Sequence, residues 1–134
     1  MNSNERRVLA LLVVSAFICL VDRTVLSAAA TNLQSSLALT NTQLGALLSA
    51  FFWSYAGLQL FSISGRLVDR FHAGWVLACG FLLWSTATAL TAAASGFWAV
   101  FTLRVLLGAG ESVAYPAYSR ILAGGFEEHH RGFA

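Results

Sequence analysis

Long apolar stretches alternate with short polar ones along this chain. Apolar or small residues dominate positions 8–30, 43–64, 75–94 and 97–122, and each run has about the 20 residues an α-helix needs to cross a bilayer. The strict period of two that marks a transmembrane β-strand is absent. The polar breaks are residues 1–7 with Arg6 and Arg7, an uncharged segment from Thr31 to Thr42, and a charged one from Gly65 to Gly74. Then come the Ser95-Gly96 turn and the tail from Ala123 to Ala134. Thr40, Asn41 and Thr42 are candidate caps for the second run. Gly65 to Gly74 reads as a tight loop holding Arg66, Asp69, Arg70 and His72. The pattern predicts an all-α integral membrane protein of four transmembrane helices.

Composition supports that reading. The chain is 57% hydrophobic and 10% charged, against about 25% charged in a soluble domain, and its mean hydropathy is +0.69. With no Lys and a formal net charge of +2, it offers no basic surface for nucleic acid. Cys19 and Cys79 each sit inside an apolar run without metal-ligand spacing, and read as buried small hydrophobes. The start of the chain imitates a secretory signal, but Asp22 and Arg23 stand where such a signal would be uncharged. Arginine placement sets the expected topology. Arg6, Arg7, Arg66, Arg70 and Arg131 lie at the N-terminus, the 65–74 loop and the tail, and the other two connections carry no charge. Both termini and that loop are therefore expected on the cytoplasmic side.

Charges inside the apolar runs change the picture most. Asp22 and Arg23 lie in the first run, Arg104 and Glu111 in the fourth. A charge at the centre of a membrane helix costs roughly 2.5–3.5 kcal/mol on insertion scales, so such residues mark interior or solute-facing positions. Arg104, Gly108, Glu111, Tyr115 and Tyr118 recur at helical spacing on one face. Arg104 and Glu111 are roughly 10 Å apart along the axis. Gly108 and Gly110 thin the helix there, and Pro116 removes a backbone hydrogen bond. Asp22 and Glu111 fall in the middle of the membrane, where transporters place substrate and coupling-ion sites, and a carboxylate there can load and release a proton. Neighbours on a helix point roughly 100° apart. The two therefore cannot both face one spot, and Asp22 is expected to face the Arg104–Glu111 side of the fourth run. In the second run Tyr55, Gln59 and Ser62 share a face, suited equally to a carboxylated solute and to hydrogen bonds between helices. His129-His130 in the tail reads as solvated, not as a metal site, and no nucleophile–base arrangement or phosphate loop suggests an enzyme or a cofactor.

These residues together resemble the N-terminal third of a major facilitator superfamily transporter, and more narrowly the anion:cation symporter family of hexuronate, aldonate, glucarate and phthalate permeases. The resemblance rests on Asp22-Arg23, on the run from Ser49 to Ala56 with Gln59, and on Gly65-x-x-x-Asp69-Arg70-Phe71. It also rests on Arg104-x-x-x-Gly108-x-x-Glu111-x-x-x-x-Pro116-Ala117 and Arg131-Gly132-x-Ala134. It implies four helices of a twelve-helix fold, so that the chain is a fragment wanting the remaining helices and should not transport alone. It implies that Arg23 binds the substrate carboxylate with Tyr55 and Gln59 lining the site. Asp22 and Glu111 would carry protons, and Arg104 would pair with Glu111 in part of the cycle. Gly65, Asp69 and Arg70 would belong to a cytoplasmic gate. The chain departs from the family at Cys19-Leu20-Val21, where Asn-Tyr-x often precedes Asp-Arg, and at His72-Ala73-Gly74, where Gly and two basic residues are usual. The expected activity is proton-coupled symport of a small organic anion across a bacterial inner membrane. The rival expectations are a four-helix dimeric multidrug exporter, whose cation Arg23 would repel, and a membrane scaffold subunit.

Overall fold

In a computed structural model, residues 3–125 are described and their regular structure is entirely helical. The elements in order are α1 (Ser3–Ala28), α2 (Ala30–Ser36), α3 (Asn41–Leu60), α4 (Ile63–Arg70), α5 (Ala73–Thr91), α6 (Phe97–Ser112) and α7 (Ala114–Gly125). Three spans are long and apolar enough to cross a membrane: one within α1, one formed by α5, and one formed by α6 and α7 together. A fourth exists if α3 and α4, bent by 59° at their junction, are one broken span. The Glu127–Arg131 stretch, with His129-His130 and the Arg131-Gly132-x-Ala134 match, lies outside the described residues.

Local chemistry explains the starts and stops. Of the candidate caps, Thr40 is used: the Gln43 N–H donates to Thr40 Oγ1 at 3.2 Å, and the Thr40 N–H donates to Gln43 Oε1 at 3.0 Å. Two otherwise orphaned donors are thereby satisfied reciprocally. Ser62 ends the straight part of the second run with φ 55°, ψ 23°, a left-handed conformation uncommon outside glycine. Gly96, at φ 98°, reverses the chain ahead of α6, in a region that glycine enters freely.

Two expectations about the connections need correcting. The segment from Thr31 to Thr42 contains α2 as well as linker, and the expected loop from Gly65 to Gly74 is helical through Arg70. Ser64 and Val68 are both buried and lie one turn apart, so α4 has an inward face that four charged or polar neighbours concealed. A third correction concerns Cys79, which is exposed while Cys19 is buried. Cys79 lies on the outer side of α5, lining an apolar groove with Leu67, Trp75 and Leu83. In a membrane the apolar surroundings can be lipid, so an apolar run does not itself imply a buried face.

The core is helix against helix at close range. Leu12, Cys19, Phe51, Trp84, Leu107 and Tyr118 form its main cluster, and Leu39, Leu47 and Val100 a second. Glycines set the separations. A side chain at Gly108 would run into the Phe51 carbonyl and Ser54, and one at Gly80 would meet the Gly110 carbonyl at 2.8 Å. The helix carrying Glu111 is therefore pressed backbone to backbone against α3 on one side and α5 on the other, the packing mode of small residues in lipid.

Candidate functional site

Helix α1 meets the α6–α7 span along one narrow antiparallel seam. Near one end Ser15 Oγ and Tyr118 Oη are hydrogen-bonded at 2.7 Å. Eight residues further along α1, Arg23 Nε donates to Glu111 Oε2 at 2.8 Å. Glu111 is fully buried, and the Arg23 side chain is 22% exposed. The pair joins two helices across the bundle. The expected pairing of Arg104 with Glu111 is not present in this structure. Two helical turns separate them on one helix, and Arg23 reaches the carboxylate from across the interface.

Aromatic rings hold the arginines. The Arg23 guanidinium lies 4.6 Å from the Tyr55 ring centre and 5.3 Å from that of Phe51. Arg104 approaches the same Phe51 ring at 5.5 Å. The negative face of an aromatic ring attracts such cations, more strongly where water is absent. Phe51 is thus a neutral platform between two cations, a role that its place in an apolar motif did not announce. Its signal was available: Phe51 and Tyr55 stand one turn apart, and their rings stack at 5.7 Å.

Asp22 lines a different space from the Arg23–Glu111 pair. Together with Arg104, Asn32, Ser36, Thr88 and Thr91 it lines a cavity of about 580 Å³ between α1, α2, α5 and α6. Asp22 and Arg104 therefore share this cavity, while Arg23 takes the Glu111 side of the expected Arg104–Glu111 face. Gln59 and Tyr55 also part company. The Gln59 amide donates to the Ser112 carbonyl at 3.1 Å, a bond between helices, whereas Tyr55 stays beneath Arg23. Of the expected gate residues, Gly65 is half-buried within α4 and Asp69 and Arg70 are exposed near its end. Asp69 lines a cleft with His72 of the α4–α5 connection and Arg120 of α7. Arg120 is a neighbour that sequence spacing did not single out.

Polar capacity at this level of the bundle is left over. Arg23 Nη2, Glu111 Oε1 and Arg104 Nε are buried without a hydrogen-bond partner among the described residues. Buried polar atoms are nearly always paired, and Thr88 Oγ1 and Trp84 Nε1 on α5 are likewise buried without a partner among the described residues.

A bundle of apolar helices that holds acidic and basic side chains in its interior is the arrangement of a polytopic membrane protein. This chain belongs to the Major Facilitator Superfamily, whose model matches residues 12–134. Its match is to the N-terminal part of an anion transporter of that superfamily. The chain is 36% identical to the "Probable sulfoacetate transporter SauU" of Cupriavidus necator, over 88% of this chain and 27% of that protein. With the "D-galactonate transporter" of Escherichia coli O6:H1 the identity is 30%, over 94% of this chain and 29% of that one. With the "Probable anion transporter 4, chloroplastic" of Arabidopsis thaliana it is 35%, over 99% and 25%. The chain thus spans about a quarter of the length of these curated relatives. No solved structure matches it.

Proposed function

We propose that the chain supplies the cation and the proton-carrying acids of a proton-coupled symporter for a small organic anion, with its N-terminus on the cytoplasmic side of a bacterial inner membrane. The observation that carries this reading is the Arg23–Glu111 pair, its acid fully buried, with Arg23 Nη2 and Glu111 Oε1 unspent. Arg23 engages Glu111 through Nε, so Nη2 can take a solute carboxylate. Two anions on one cation in a dry interior leave a net buried charge, which is strongly disfavoured. For a monoanion, neutrality returns when Glu111 accepts a proton, so anion and proton load together and the filled site carries no excess charge. Tyr55 holds the guanidinium level for the solute. Asp22 and Arg104, lining one cavity, are a second acid and its cation, and Arg104 exchanges between Asp22 and Glu111 as the first pair opens. Asp69, Arg70 and Gly65 latch the cytoplasmic end against α7 near Arg120, and further transporter helices complete the cavity.

The named substrates of relatives supply the probes. In proteoliposomes containing the whole transporter, labelled sulfoacetate or D-galactonate should accumulate when the outside is acidic. Adding substrate to a lightly buffered suspension should turn the outside alkaline. Accumulation indifferent to the pH gradient for both probes would overturn proton coupling.

A further inference from the structure

The α6–α7 span contains a proline, and its defect is repaired from another helix. Pro116 has no N–H, so the carbonyl four residues earlier, that of Ser112, lacks the donor an ordinary helix would supply. Ser112 is fully buried, out of reach of water. The Gln59 amide donates to this carbonyl at 3.1 Å, standing in for the missing backbone N–H. The Ser112 side chain is engaged as well. Its hydroxyl donates to the Ala109 carbonyl at 2.8 Å and accepts from Ser64 Oγ at 2.9 Å.

Gln59 and Ser64 lie on opposite sides of the bend at Ser62. Ser112 is thus gripped by both limbs of the bent α3–α4 pair, and the residue beside it is Glu111. We propose that Gln59 is a positioning residue: its amide substitutes for the N–H that Pro116 lacks, ties the two helix breaks together, and so fixes Glu111 opposite Arg23. Gln59 acts through Ser112 and does not touch the transported anion. The link to transport rests on Glu111 being the proton carrier; the link between Gln59 and Pro116 does not.

A double-mutant cycle on the whole transporter tests both links. Gln59→Met keeps the shape and removes the donor, and Pro116→Ala returns a backbone N–H to Ser112. Gln59→Met should lower kcat about tenfold with little change in KM and should alter the pH profile of uptake; on top of Pro116→Ala it should cost less than about threefold. The same pattern should hold for the thermal unfolding midpoint in detergent, which also reads the case where Gln59→Met alone folds poorly. A loss from Gln59→Met as large with Pro116→Ala as without it would overturn the proposal. So would a tenfold rise in KM with kcat intact, the signature of direct solute contact. If the unfolding cycle shows the coupling but Glu111→Gln leaves proton-driven accumulation intact, the clamp stands and the role of Glu111 falls.

Discussion

Arg23 and Glu111 lie 88 residues apart in the chain and 2.8 Å apart in the bundle. Contact is made through Nε, the inner nitrogen of the guanidinium, so one outer nitrogen stays free on a side chain that is already neutralised. An arginine placed this way pairs with one carboxylate and keeps an outer nitrogen, Nη2, without a partner among the described residues.

Neutralising the acid should separate binding from driving force. Glu111→Gln keeps size and hydrogen bonding but cannot carry a proton. It should abolish uphill accumulation while permitting exchange of labelled for unlabelled anion. Wild-type uptake should rise as the loading side is acidified, because anion entry needs a proton on Glu111, and the variant's exchange should be flat over the same range. Counterflow measured across pH decides this, and accumulation surviving in the variant would remove Glu111 from the coupling.

Removing the cation should harm stability more than removing the pair. Arg23→Ala leaves Glu111 fully buried without its partner; because Arg23 is part-exposed, the loss should fall below about 3–5 kcal/mol, the cost of breaking a fully buried pair. Adding Glu111→Gln to that chain should recover most of it. Unfolding in detergent reads the difference, and simply additive losses would mean that the pair contributes nothing as a pair.

Glycine contacts give a prediction independent of charge. Gly108→Ala drives a methyl into the Phe51 carbonyl and Ser54 and should destabilise by about 1–3 kcal/mol, as overpacking does. Gly57 in α3 has open space around its missing side chain, so Gly57→Ala should stabilise by about 0.5–1 kcal/mol. Opposite shifts of the unfolding midpoint are expected, and equal ones would contradict the packing described.

Phe51→Leu tests the shared platform. It keeps an apolar side chain but removes the ring that faces Arg23 and Arg104 at 5.3 and 5.5 Å. Each cation–π contact is worth about 0.5–2 kcal/mol. Apparent affinity for anions should fall severalfold, and a fall equal to that of Arg23→Ala would instead place Phe51 in direct contact with solute.

The sequence made the apolar runs, the capping threonine and the buried charges readable, because an apolar run of about 20 residues and a charge within it are local signals. Partners across the bundle were less readable. Gln59 shares a helical face with Tyr55, yet its amide is drawn to Ser112 by a vacancy that Pro116 creates 57 positions later in the chain. Sequence spacing reveals the missing N–H but not the helix that will supply a substitute. The same holds for α4, where Arg66, Asp69 and Arg70 gave the appearance of a loop while Ser64 and Val68 faced inward. Phe51 went unnoticed as a site residue because an aromatic in an apolar run usually serves only packing.

The seam of α1 has a mechanical consequence. Glu111 sits on a span locked by Gly108 against α3 and by Gly110 against α5, so displacing it means moving three helices at once. Arg23 sits on α1, whose buried residues Leu12, Ser15 and Cys19 follow a single stripe while Leu11, Val14, Phe17 and Leu20 around them face outward. A helix held along one stripe can roll or slide past its neighbour, as a rack moves along a fixed pinion. The acid is then the stator of this bundle and the arginine its rotor. Opening the ion pair would be a movement of α1 that leaves the Glu111 carboxylate in place.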